Sequence, residues 1–117
     1  MVDFEQKEHY TAQDLVRIVS LLRDPVNGCP WDKEQTHQSI RSNFIEETYE
    51  ALEAIDLNDA HLLEEELGDV LLQVALHCQM EAEKGVFDFD SVCDGICKKL
   101  IYRHPHVFGD TVAATTG

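Results

Sequence analysis

The sequence predicts an all-α fold, an antiparallel bundle of about four helices completed by homo-oligomerisation. Three observations carry that expectation. Apolar residues recur at helical spacing through four segments. Capping and helix-stopping residues fall at the ends of those segments. No stretch alternates apolar and polar residues as a half-buried strand would.

The first helix is expected from about Thr11 to Leu22, with Leu15, Ile18, Val19 and Leu22 on one face. Thr11 is its N-cap, and Asp14 stands at the third position of a capping box where Glu is usual. "RDPVNGCPWD" is a loop, because two prolines and an Asn-Gly pair break regular structure. The second helix begins near Ser39 and ends near Leu57, with an apolar stripe of Ile40, Phe44, Ala51 and Ile55. Asp59 caps the third, which runs to Lys84 and is stopped by Gly85. The fourth covers about Asp90 to Tyr102, and Pro105 enforces its end.

The third helix is apolar on two sides. Leu63, Leu67, Val70, Leu71, Val74 and Cys78 share one face, and Leu72, Leu76 and Met80 share another. Both faces require cover. Three short helices cannot supply it, so a partner subunit is expected to provide the second layer. The 117 residues suit one domain rather than two, with a core over about 11–109 and a ragged tail at 110–117.

Composition narrows the function. At 44% hydrophobic and 27% charged residues the chain is globular material, not a disordered tract. Against 9 Lys and Arg stand 23 Asp and Glu, for a net charge of −14. Such a surface lacks the basic patch that nucleic-acid backbones require, so no nucleic-acid partner is expected. Divalent cations, in contrast, offset clustered carboxylates. No apolar run approaches the ~18 residues of a membrane span, so no membrane partner is expected. Cys29, Cys78, Cys93 and Cys97 lack paired CxxC units and follow no signal sequence, which fits reduced structural cysteines in a cytoplasmic protein.

The informative pattern is acidic. Glu47 and Glu50 share a face of the second helix, bordering its apolar stripe, and Glu66 and Asp69 repeat the three-residue spacing on the third. A short connection makes the two helices antiparallel neighbours. Four carboxylates then converge on one pocket, which cannot stay ionised near neutral pH without compensation. Mg²⁺ suits such a site, because it takes a few carboxylates together with waters and substrate phosphates. Glu46 lies beside these acids on the same helix. Lys99 and Arg103, four apart on the fourth helix, can clamp phosphates or answer the helix dipole and surplus acids. Trp31 can stack on a base or anchor its loop to the core. Gln35 and His37 show no readable pattern, and His104 and His106 are weak evidence for a metal.

"GCPWDKEQTHQS", "EETYEALEAI", "EELGDVLLQV" and "RHPHVF" together resemble the MazG family of nucleoside triphosphate pyrophosphohydrolases, from about Leu21 to Gly109. The family's EExxE…ExxD signature is matched by Glu46, Glu47, Glu50, Glu66 and Asp69. The resemblance implies Mg²⁺-dependent hydrolysis of NTPs or dNTPs to monophosphate and pyrophosphate, with Mn²⁺ as a substitute ion. It implies Glu47, Glu50, Glu66 and Asp69 as metal ligands, and Lys99 and Arg103 as phosphate contacts, with Trp31 as a substrate-binding candidate. Glu46 is the candidate to orient or deprotonate the attacking water. Homodimers or larger homo-oligomers are implied too. The alternative is a catalytically weak dimerisation or regulatory domain of a longer MazG-type protein.

Overall fold

A computed structural model describes residues 1–109, and the expected tail at 110–117 lies outside the described residues. Every regular element of the described chain is helical: α1 (Ala12–Leu22), a single 3₁₀ turn (Asp32–Glu34), α2 (Arg41–Asp56), α3 (Ala60–Glu83), α4 (Phe89–Arg103) and α5 (Pro105–Phe108). The all-α expectation holds. Spacing gave no sign of the 3₁₀ turn or of α5. Pro105 does end α4, and it also opens α5 at the first helical position, where its missing N–H is no loss.

Local chemistry explains the boundaries. Thr11 and Asp14 form the reciprocal capping box of α1, and Lys7 pairs with the same Asp14 carboxylate at 2.7 Å. Asp88 and Ser91 form a second box at α4. Asn58 (φ 55°) and Gly85 (φ 75°) end α2 and α3 in the left-handed conformation. Each closes a pair of Schellman hydrogen bonds: Asn58 N–H to Ile55 and Asp59 N–H to Ala54, then Gly85 N–H to Ala82 and Val86 N–H to Glu81. The α2–α3 connection is therefore only Leu57, Asn58 and Asp59, with Asp59 already capping α3 through Leu62 N–H. In the loop after α1, a Cβ on Gly28 would lie 2.5 Å from the Asp24 and Leu22 carbonyl oxygens, so only glycine fits there.

The core is small. Val19, Ile40, Ala75, Leu76 and Met80 bury together, flanked by Leu15 and Leu72, where α1, the start of α2 and the C-terminal half of α3 meet. On α2 the inward stripe is Ile40, Phe44, Glu47, Ala51 and Ala54, at alternating spacings of four and three. This corrects the sequence reading in two respects. Ile55 is 55% exposed, its place in the stripe taken by fully buried Ala54, whose small side chain lets α2 and α3 approach. Glu47 lies within the stripe rather than beside it.

On α3, the Leu76 and Met80 face is covered by α1 and Ile40. Cys78 is buried where α3 meets the start of α4. Leu67 and Leu71 remain 52% and 42% exposed, and α4 buries none of its residues.

Candidate metal centre

The α2–α3 hairpin sets the site by its register. Glu50 stands eight residues before Asn58 and Glu66 eight after, while Glu47 and Asp69 stand eleven before and after. An antiparallel pair turning at Asn58 therefore brings Glu50 opposite Glu66 and Glu47 opposite Asp69. The structure brings all four together: one carboxylate oxygen from each lies within 4.8 Å of the others. Glu47 and Glu66 are half-buried, whereas Glu50 and Asp69 are exposed. The site thus has a dry floor and a wet rim.

Its electrostatics are unsatisfied. Glu47 Oε2 and Glu66 Oε2 are buried without a hydrogen-bond partner. Among the described residues no cationic side chain pairs with any of the four acids. Burial raises the pKa of Glu47 above the ordinary carboxylate value, and the negative charges of Glu50 and Asp69 raise it further. Glu66 is raised likewise, by burial first and then by Glu50. An all-oxygen, all-anionic donor set with two orphaned inward oxygens fits a hard divalent cation such as Mg²⁺.

The other sequence candidates lie outside this group of four. Glu46 is exposed on α2. Lys99 and Arg103 are exposed on α4, and neither has a carboxylate partner among the described residues. Trp31 is 75% exposed, so it does not anchor its loop to the core. That task falls to Arg23, whose side chain is 7% exposed. It donates to the carbonyls of Asp32 (2.6 Å) and Gln35 (3.0 Å), and to both oxygens of Glu83 (2.8 and 3.1 Å).

One polar cluster had no sequence signal except that Gln73 and His77 continue the line of Glu66 and Asp69 along α3. His37 Nδ1 meets His77 Nδ1 at 2.6 Å, and His37 Nε2 meets Glu81 Oε2 at 2.5 Å. The His77 ring stacks on His37 and on Phe44. Gln73 Oε1 and His77 Nε2 are buried without partners. His37 comes from a loop forty residues away, which periodicity within a helix cannot reveal.

Comparison with known proteins gives concordant results. The family model for the MazG nucleotide pyrophosphohydrolase domain matches residues 35–108, more than half of the chain. The nucleoside triphosphate pyrophosphohydrolase of Escherichia coli K12 is 54% identical over 99 residues, covering 85% of this chain and 38% of that protein. The nucleoside triphosphate pyrophosphohydrolase/pyrophosphatase MazG of Thermotoga maritima is 50% identical over 99 residues, with the same coverage of 85% and 38%. The uncharacterized protein YabN of Bacillus subtilis is 58% identical over 93 residues, covering 80% of this chain and 19% of YabN. The chain therefore spans well under half the length of these relatives.

Proposed function

This chain belongs to the MazG nucleotide pyrophosphohydrolase domain family, and from that premise we propose that it hydrolyses nucleoside triphosphates, ribo or deoxy, to the monophosphate and pyrophosphate with Mg²⁺. The observation that carries the proposal is the focus of Glu47, Glu50, Glu66 and Asp69 on one point, with no cationic side chain among the described residues paired to them. These four residues hold the ion; Mn²⁺ suits the same oxygens. Bound there, the ion supplies neutralisation of phosphoryl oxygens and acidification of a water.

The chain's own residues do the rest. Water oxygen bonds to the α-phosphorus, the bond from that phosphorus to the bridging oxygen breaks, and pyrophosphate leaves. Glu46, exposed beside the ligands on α2, orients the water and takes its proton. Lys99 and Arg103 hold the outer phosphates as charge-assisted donors. Trp31, already exposed, offers a stacking face to the base. Positioning and charge complementarity account for most of the work in such displacements.

A second copy completes the fold in this account. Ile45, Tyr49 and Leu52 on α2 and Leu67 and Leu71 on α3 are between 42% and 68% exposed, on faces that a partner hairpin would cover. The role is nucleotide-pool cleaning or regulation in the cytoplasm; among the described residues no helix is long and apolar enough to cross a membrane. The difference in length from the relatives supports one other reading, a catalytically weak dimerisation or regulatory domain of a longer MazG-type protein.

Phosphorus NMR of NTP and dNTP mixtures incubated with the chain and Mg²⁺ separates the two. Monophosphate with pyrophosphate supports the enzyme. Diphosphate with orthophosphate contradicts the assigned bond, and unchanged substrate favours the regulatory reading.

A further inference from the structure

The Glu81–His37–His77 chain dictates its own proton positions. Contact with His37, and then with Lys84 at 3.1 Å, holds the Glu81 carboxyl below its ordinary value, so it is ionised and can only accept. His37 Nε2 must therefore carry a hydrogen. A neutral His37 then presents a lone pair at Nδ1, and His77 Nδ1 must donate to it. This leaves His77 as the Nδ1–H tautomer, with its Nε2 lone pair buried and unpartnered. These assignments follow from the bonding pattern.

The arrangement tolerates one added proton and not two. A proton on His37 gives an imidazolium between the Glu81 carboxylate and His77, with His77 switching to its Nε2–H form. A second proton sets two N–H groups facing each other at 2.6 Å. We propose that the Glu81–His37–His77 chain is a proton-sensitive clasp that holds the segment ahead of α2 on α3, closed while the imidazoles share one Nδ1 proton and opened when both are protonated.

Position gives the clasp its consequence. Helix α2 starts at Ile40 without a side-chain cap. Thr36 and Ser39 bond each other and shape the turn, but do not reach α3. Across to other elements, the segment is tied by His37, by burial of Ile40, and by the Arg23 bond to the Gln35 carbonyl. The groups facing the imidazoles are Glu81 and, behind it, Lys84 from α3, and the uncharged Phe44 ring from α2. Arg23 from α1 and Glu83 from α3 line the adjoining cavity and bond each other. Burial, then His37, lowers the pKa of His77, in keeping with a pair that resists the second proton. Opening frees the end of the helix that carries Glu46, Glu47 and Glu50. The inference does not depend on the proposed reaction.

Trp31 is the only tryptophan, and its carbonyl accepts from Gln35 two residues before His37, so its fluorescence is a local reporter on the segment that the clasp holds. The experiment is a fluorescence titration of the metal-free chain from about pH 8 to about pH 5, the range in which histidines change charge. The wild type should show a transition. In Glu81→Gln the midpoint should move up by about half a pH unit or more, because the closed clasp loses the carboxylate that holds His37 while the open segment loses nothing. In His37→Gln the transition should vanish. A wild type without a transition, an unmoved or lowered midpoint in Glu81→Gln, or a wild-type-like titration of His37→Gln overturns the proposal. Nitrogen-15 NMR of the wild type near pH 8 decides the matter if a variant fails to fold. Nε2–H on His37 with Nδ1–H on His77 supports the clasp, and any other tautomer pair refutes it.

Discussion

Replacing Arg23 by Met tests how the loop between α1 and α2 is held. The aliphatic stem would be largely preserved, so the loss isolates the guanidinium. Its removal strands the Gln35 carbonyl, which it now meets at 3.0 Å, and takes one of two donors from the Asp32 carbonyl, met at 2.6 Å, which keeps the Gln35 N–H. Stranding the part-buried Gln35 carbonyl costs about 1–3 kcal/mol, and the bond lost from the Asp32 carbonyl adds about 1 kcal/mol. The Glu83 end counts for less, because that carboxylate is 37% exposed and solvent screens the pair to about 0–1 kcal/mol. The expected loss is about 3 kcal/mol, or about 10 °C in Tm for a domain of this size. Arg23→Lys, which keeps the charge but not the fork, should lose about half as much. Glu83→Gln should lose under about 1 kcal/mol, since the carbonyl bonds survive. Urea unfolding at fixed protein concentration, followed by circular dichroism and by Trp31 fluorescence, measures all three. A loss below about 1 kcal/mol for Arg23→Met, or a Glu83→Gln loss as large as that of Arg23→Met, would refute the carbonyl-anchor account.

Three further outcomes are expected. Glu47 and Glu66 have raised folded pKa values, so the folded chain binds more protons than the unfolded one above the ordinary carboxylate range. Their contribution to metal-free stability therefore falls as pH rises from about 4.5 through the raised values, and Mg²⁺ should reverse that fall while releasing protons. Glu66→Gln should raise the melting temperature in EDTA and shrink the increment gained from Mg²⁺; a lowered temperature in EDTA would contradict the repulsive site. Glu46→Gln should cut turnover about 100-fold while leaving divalent-ion affinity nearly intact, and equal loss of both would make Glu46 a ligand. Leu71→Glu places a charge on an exposed apolar face of α3, so if that face forms the proposed homo-oligomer interface, sedimentation should show a larger species for the wild type than for the variant; equal sedimentation coefficients would remove that face from the interface.

Much of this architecture was legible because local chemistry dictates it. Thr11 with Asp14, Asp59 and Gly85 mark helix ends by hydrogen bonds that near neighbours in the chain supply. The acidic focus was legible for the same reason: two three-residue spacings and a short connection fix which carboxylates face each other. Asn58 marks the centre of that register, as the left-handed residue about which Glu50 and Glu66 are symmetric. What escaped was non-local. Ala54 displaced Ile55 from the stripe because the alternating four-three spacing, set by packing on α3, favours the smaller residue there. Trp31 looked like an anchor by residue type, yet the anchor is Arg23, which reaches carbonyls nine and twelve residues on. His37 meets His77 and Glu81 across forty and forty-four residues, through contacts that depend on α2 and α3 already being packed.

The central claim is that four carboxylates from one helical hairpin make a single divalent-cation site. Calorimetric titration of Mn²⁺ into the wild type and into the Glu50→Gln, Asp69→Asn double variant tests it most directly, because both changes lie on the exposed rim and leave the inward stripe intact. The account predicts saturable binding with proton release in the wild type and its loss in the variant. Equal binding by the two proteins, or none by the wild type, would contradict it.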